Sequence, residues 1–219
     1  GHFSDSPKAV ICSIAKQKNA PIYAFIDSPF NTDLQGEHQQ WNIGAALKCI
    51  ELLLGFLPVT ESETNEALLN VCQISGLEGR WQTLHKEPLV ICDVGHNEEG
   101  FGLIAKQINA LNLKPIYVLG FVKEKDVASI APLLPTGAEY HFVKPQIPRG
   151  MEATDALRLF GDATGIAGET HKTLDDALNK AYNSLKKDKQ NQCIFIGGSN
   201  FVVADLLLLH KTNKVPWTK

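Results

Sequence analysis

No block of lysine and arginine occurs anywhere in this 219-residue chain, whose formal charge is -3. That balance argues against a mainly electrostatic grip on nucleic acid, though a local basic pocket stays open. No apolar run approaches the length of a membrane span, and the apolar stretch at 201–209 is too short and at the wrong end for a signal peptide. There is no C-x-x-C pair and no His/Cys spacing of the zinc type, so no metal held by this chain alone is expected. Cys12, Cys49, Cys72, Cys92 and Cys193 are odd in number, widely spaced and set inside apolar patterns. They read as buried thiols of a protein in a reducing cytoplasm. G-x-G-x-x-G is absent, which leaves a nicotinamide cofactor little support. G-x-x-x-x-G-K-[ST] is absent too; the nearest candidate, Gly168-Glu-Thr-His-Lys-Thr173, lacks the second glycine and its spacing. Internal repeats and low-complexity tracts are also missing.

What is present is enough apolar residue, 44%, to bury one core or one core and part of another. The chain is organised around Leu89-Val-Ile-Cys-Asp-Val-Gly-His-Asn97, an apolar run that ends in Asp93, turns at Gly95 and leads into a helical pattern. A buried strand that stops at a polar turn before a helix delivers its side chains to the carboxyl edge of a sheet, where open α/β sheets hold their ligands. Asp93, His96 and Asn97 place an acceptor, a titratable ring and an amide there within five positions. A helix cap at Asn97 with Asp93 bracing the turn accounts for the same residues without a ligand.

Along the chain, Asp5-Ser-Pro-Lys opens a helix, and Ile22-Tyr-Ala-Phe-Ile26 reads as a strand. A strand and helix with no partner strands before them suggest that Gly1 falls inside a domain whose sheet lies upstream. A helical pattern over 43–54 follows, with Asn42 in its first turn, where backbone N–H groups and the positive dipole end favour polar ligands. Thr60-Glu-Ser-Glu63 has the form of a capping box, and Ser75-Gly-Leu-Glu-Gly79 is a flexible, polar break taken as the domain boundary. From there strand and helix signals alternate. Strands are expected at 89–93, 116–120, 139–143 and 193–197, and helices at 98–111, 126–133, 154–163, 173–185 and 199–210. Short connections between such elements favour a mainly parallel sheet covered on both faces, Rossmann-like in architecture.

Five stretches in this order, Gly36-Glu-His-Gln-Gln-Trp-Asn42, Gly79-Arg80-Trp-Gln, Asp93-Val-Gly-His-Asn97, Leu119-Gly-Phe-Val-Lys-Glu-Lys-Asp126 and Gly197-Gly-Ser199, resemble the folylpolyglutamate synthase/dihydrofolate synthase family of the Mur ligase superfamily. The resemblance runs over about residues 34–208. It implies an α/β chain in which 1–77 is the truncated end of a P-loop ATPase domain and 78–219 a Rossmann-like, Mur ligase-type glutamate ligase domain. It also implies a cytoplasmic monomer that uses ATP with Mg²⁺, L-glutamate, and folate or dihydropteroate, with no part for nucleic acid or membrane. In such enzymes ATP phosphorylates a carboxylate and the amine of glutamate attacks the acyl phosphate. A carboxylate is a poor electrophile until its oxygen becomes a phosphate leaving group.

The resemblance assigns ATP contacts to Asn42 on one side of the boundary and to Arg80 and Asp93 on the other, with ATP bound between the domains. It gives His96 the task of orienting the reacting phosphate or carboxylate, and Lys123, Lys125 and Ser199 contacts with glutamate. Unaided, Arg80 reads as a surface ion pair with Glu78 or Glu87, Asn42 as a cap or a solvent-facing residue, His96 as a ring that satisfies local backbone groups, Lys123 and Lys125 as solvated loop charges, and Ser199 as a helix N-cap. Glu124 stands where the family commonly has Asp, Val94-Gly95 where Gly-Ala is frequent, and Glu98 where Pro is frequent. The phosphate loop, the Mg²⁺ ligands and the pterin pocket are expected upstream, so the chain is expected to be a C-terminal fragment without turnover of its own. A peptidoglycan-precursor ligase is the neighbouring alternative, disfavoured because those enzymes tend to have Asn after the histidine of the first motif, where this chain has Gln39. A nucleotide-binding or interaction domain without chemistry is the other.

Overall fold

The structure is a computed structural model that describes residues 5–26, 30–185 and 190–218. The chain divides into two compact units, Gly1–Leu77 and Glu78–Lys219.

Helices α1 (Asp5–Gln17), α2 (Gln39–Leu53), α3 (Glu61–Leu69) and α4 (Val71–Ser75) make up the regular structure described in the first unit. The capping box at α3 forms in full: the Thr60 hydroxyl accepts the Glu63 N–H at 3.2 Å, and the Glu63 carboxylate accepts the Thr60 N–H at 2.8 Å. Asp33 accepts the Cys72 N–H at 2.9 Å and so closes the start of α4. Residues 22–26 do not form the expected strand. A strand is held by ladder hydrogen bonds, and among the described residues the first unit contains no second strand to supply them. The Ile26 carbonyl instead lies so close over Gly44 of α2 that a Cβ there would meet its oxygen at 2.1 Å. Cys12 and Cys49 are exposed rather than buried, since α1 and α2 present much of their apolar surface outward, Val10, Ile14 and Leu53 included.

The second unit holds a six-stranded sheet of β1 (Gln82–Lys86), β2 (Leu89–Cys92), β3 (Lys114–Leu119), β4 (Glu139–Val143), β5 (Glu169–His171) and β6 (Gln192–Gly197), in the order β1-β2-β6-β3-β4-β5. All neighbours are parallel except the antiparallel β1–β2 hairpin at one edge. The helices are α5 (Glu98–Ala110), α6 (Val127–Ile130), α7 (Ala153–Thr164), α8 (Leu174–Leu185) and α9 (Asn200–Lys211). Strand side chains alternate between faces, so each strand feeds two cores. Ile91, Tyr117, Leu119, Tyr140, Phe142 and Phe195 pack against Phe101, Ile104 and Ile108 of α5 and Phe160 of α7. Val90, Cys92, Ile116, Val118, Ile194 and Ile196 pack against Leu178 and Leu185 of α8 and Val203 and Leu206 of α9. The α5 residues recur at i, i+3 and i+7, which is what lays a single apolar stripe on the sheet. Burial pushes the Cys92 thiol up to about 12 and Cys193 up to about 11, so both are inert core residues. The two strands not expected, β1 and β5, are the edges of the sheet, where only one side needs an apolar run. Among the described residues no helix is long and apolar enough to cross a membrane.

Candidate functional site: a cleft at the carboxyl edge of the sheet

Parallel β2, β3 and β6 lie side by side and end together, so the segments that follow them share one rim. After β2 the chain turns through residues 93–97. Asp93 uses one carboxylate oxygen to accept the Trp81 N–H at 2.7 Å and the other to accept the Gly95 N–H at 2.6 Å. Trp81 sits at φ +46, an arrangement that costs a bulky residue roughly 1–2 kcal/mol, and the Asp93 contact is part of what holds it. Gly95 admits the close approach; a Cβ there would meet Ile104 at 2.6 Å. The Asn97 amide oxygen accepts the Gly100 N–H at 3.0 Å and caps α5.

His96 Nδ1 lies 3.0 Å from the Val94 carbonyl. A carbonyl oxygen only accepts, so Nδ1 carries the proton and Nε2 of the neutral ring offers a lone pair.

After β3 the loop doubles back on the segment preceding α7. The Lys123 N–H donates to the Arg149 carbonyl at 3.0 Å, the Met151 N–H to the Phe121 carbonyl at 2.9 Å, and Val122 bridges Gly150. This clamp puts the Arg149 side chain beside the loop, where its guanidinium stacks 5.2 Å over the Phe201 ring at the start of α9. After β6, Ser199 is 2% exposed and its hydroxyl accepts the Val202 N–H at 3.2 Å as the N-cap of α9.

These three segments enclose a cleft of about 180 Å³ lined by His96, Val122, Glu124, Lys125, Arg149, Ser199, Asn200 and Phe201. Against the one carboxylate of Glu124, two cations and the positive end of a 12-residue helix converge on it, which suits an anionic ligand. Of the residues expected to contact glutamate, Lys125 and Ser199 line this cleft and Lys123 does not, because its backbone serves the clamp while its side chain is exposed. His96 lines it too. Arg149 was not foreseen from the sequence: Ile147-Pro-Arg-Gly150 lies in an irregular segment between β4 and α7, with no periodic pattern to point to it.

The expected nucleotide contacts have the following surroundings. Asn42 is exposed in the first turn of α2 and donates to the Gln39 side chain at 2.8 Å. Arg80 is exposed, and the ion pair weighed for it does not form with Glu78, which pairs with Lys211 at 2.6 Å.

Replacing Ser199 by Ala removes the cap of α9 and is expected to cost about 1 kcal/mol. Urea denaturation of the two proteins shows it as a lowered midpoint with an unchanged slope; equal midpoints would mean that the cap contributes nothing.

An open, mainly parallel sheet with helices on both faces and a cleft at its carboxyl edge defines an α/β domain of Rossmann-like architecture. Residues 79–200, more than half of the chain, match the Mur ligase, glutamate ligase domain, and the chain belongs to the Mur ligase family. A dihydrofolate synthase/folylpolyglutamate synthase of Bacillus subtilis is 27% identical over 178 residues, which cover 80% of this chain and 40% of that protein. The Mycobacterium tuberculosis folylpolyglutamate synthase complexed with ADP superposes with a TM-score of 0.81 at 18% identity, over 96% of this chain and 54% of that one. A bifunctional folylpolyglutamate synthase/dihydrofolate synthase solved with Mn, AMPPNP and L-glutamate bound gives a TM-score of 0.66 at 20% identity, over 92% of this chain and 51% of that one. The chain spans between 15% and 40% of the length of the curated relatives it matches.

Proposed function

We propose that this chain is the amino-acid-accepting part of an ATP-dependent amide ligase that adds L-glutamate to folate or dihydropteroate through an acyl phosphate. The observation that carries the reading is the cleft in which Arg149, Lys125, His96 and the α9 N-terminus face one another. L-glutamate has two carboxylates and one amine. Arg149 and Lys125 take the carboxylates, the fork of the guanidinium suiting a bidentate pair. His96 Nε2, with its lone pair outward, receives the amine. As the nitrogen attacks the acyl carbon, the C–O bond to phosphate breaks, phosphate leaves, and the amine proton passes to Nε2. On this reading His96 serves the amine rather than the phosphate or carboxylate assigned to it by the resemblance.

Asn42 on the first unit and Arg80 and Asp93 on the second are the proposed nucleotide contacts. The cleft sets the single carboxylate of Glu124 beside two cations, Lys125 and Arg149, a poor donor set for Mg²⁺, which is held by several oxygen ligands with no competing positive charge. The relatives' greater length leaves room for the phosphate loop and the Mg²⁺ ligands outside these 219 residues.

The test is a pair of measurements on the chain. Calorimetric titration is expected to show saturable binding of L-glutamate. Incubation with ATP, L-glutamate and dihydropteroate is expected to release no ADP at an enzyme-like rate. Absence of glutamate binding removes the cleft assignment, and ADP release removes the division of labour.

A further inference from the structure

On the far side of the sheet, β5 is a three-residue edge strand whose register on β4 sets His141 opposite Glu169 and Val143 opposite His171. With side chains alternating along strands, His141, Glu169 and His171 all fall on the face covered by α8. Their ligand atoms lie within 4.8 Å of one another, and His141 Nδ1 and His171 Nε2 are 2.9 Å apart. His141 Nε2 donates to Glu139 at 2.8 Å, and Glu139 is fixed in turn by the Ser184 hydroxyl of α8 at 2.7 Å. A carboxylate on Nε2 forces the lone pair of His141 onto Nδ1, aimed at His171. A ligating histidine is usually backed by a carboxylate in this way.

We propose that His141, His171 and Glu169 form a binding site for a divalent first-row transition ion of the zinc type, which ties the edge strand β5 to β4. Two imidazoles and one carboxylate, with the fourth position open to solvent beside exposed Glu169, are the donor set such ions accept. Ligand atoms around tetrahedral Zn²⁺ stand about 3.3 Å apart, so the two rings need open by only about 0.4 Å, and the hydrogen bond between them is exchanged for two metal bonds. Glu169 already pairs with Lys180 at 3.1 Å, but both side chains are about half exposed and such a pair holds weakly, leaving the carboxylate free to turn. Glu139 and Glu169 outweigh Lys180, so the surroundings carry net negative charge. Spacing alone hid the site, because His-x27-Glu-x-His has no short ligand repeat. The site is independent of the glutamate cleft and stands whether or not that proposal holds.

Calorimetric titration of the full chain with Zn²⁺ tests it, with millimolar Mg²⁺ present to occupy oxygen-preferring sites. One equivalent is expected to bind, with Tm rising by roughly 5–10 °C at about a hundredfold excess over Kd. Co²⁺ in its place is expected to give the visible absorption of a four-coordinate nitrogen and oxygen site. His171→Ala is expected to abolish binding and the Tm rise, and Glu169→Gln, at an exposed position that leaves folding intact, to weaken affinity roughly tenfold. The exposed thiols of Cys12 and Cys49 are the competing ligands. Zn²⁺ binding that survives Glu169→Gln and His171→Ala unchanged belongs to them and overturns the proposal, as does the absence of any Zn²⁺-dependent Tm rise in the parent chain.

Discussion

Asp93→Ala lowers the unfolding free energy by about 2–4 kcal/mol, the larger of the two stability effects expected here. Both of its carboxylate oxygens are engaged by backbone N–H groups, Trp81 at 2.7 Å and Gly95 at 2.6 Å, and the site is half-buried, so water replaces the lost acceptor only in part. Each N–H left without a partner costs about 1–3 kcal/mol. Trp81 adds to the loss, because its positive φ is sustained by the contact that disappears. Asp93→Asn keeps one acceptor oxygen and turns an NH₂ toward the other donor, so it loses a comparable share on one side only. In urea the Ala variant is expected to unfold roughly 1 M earlier than the parent, with Asn between them. A parent-like midpoint for Ala would show that the β1 start and the β2 turn hold their shape without this carboxylate. The residue that the motif marked for a nucleotide is thus first of all the brace of the turn that forms the rim.

The second large effect is on binding. Arg149→Ala is expected to weaken L-glutamate binding by roughly 10–100-fold, the equivalent of a charged hydrogen-bonding pair at about 1.5–3 kcal/mol. The guanidinium is held in place by the Phe201 ring, and its backbone by the clamp to Lys123, so little of the side-chain ordering is left to the moment of binding. Arg149→Lys keeps the charge and loses the fork, and is expected to fall between. Lys125→Ala is expected to cost less than Arg149→Ala, since an ammonium is a better hydrated point charge without bidentate geometry. Titration of glutamate into each variant ranks them. An Arg149→Ala Kd equal to that of the parent would take Arg149 out of the site and leave the carboxylates to Lys125 and the α9 terminus.

Much of the second unit was legible in advance because its strands are buried on both faces. Such strands appear as short continuous apolar runs: residues 139–143 were expected as a strand and form β4 as Glu139–Val143, and 116–120 and 193–197 lie within a few residues of the observed β3 and β6. Caps were equally readable, since Thr60 with Glu63 and Asn97 with Gly100 act over three residues and need no tertiary partner. The edges were not. Gln82–Lys86 and Glu169–His171 carry polar, half-exposed residues that become strands only because a buried neighbour supplies the ladder. The reverse error at Ile22-Tyr-Ala-Phe-Ile26 has the same cause: an apolar, β-prone stretch is not a strand without a partner.

The sequence by itself determined the alternation of elements, the family, and the presence of a polar turn after β2, because periodicity, capping and motif order are local properties of the chain. Only the tertiary structure decided what meets at that turn. It brought Arg149, from an irregular segment about fifty residues further on, into the cleft with His96, Lys125 and Ser199, and left Lys123 outside. It also set His141 within hydrogen-bond distance of His171 across two strands thirty positions apart. Both meetings are fixed by strand order and register, which follow from how whole faces bury one another and from no single stretch of residues.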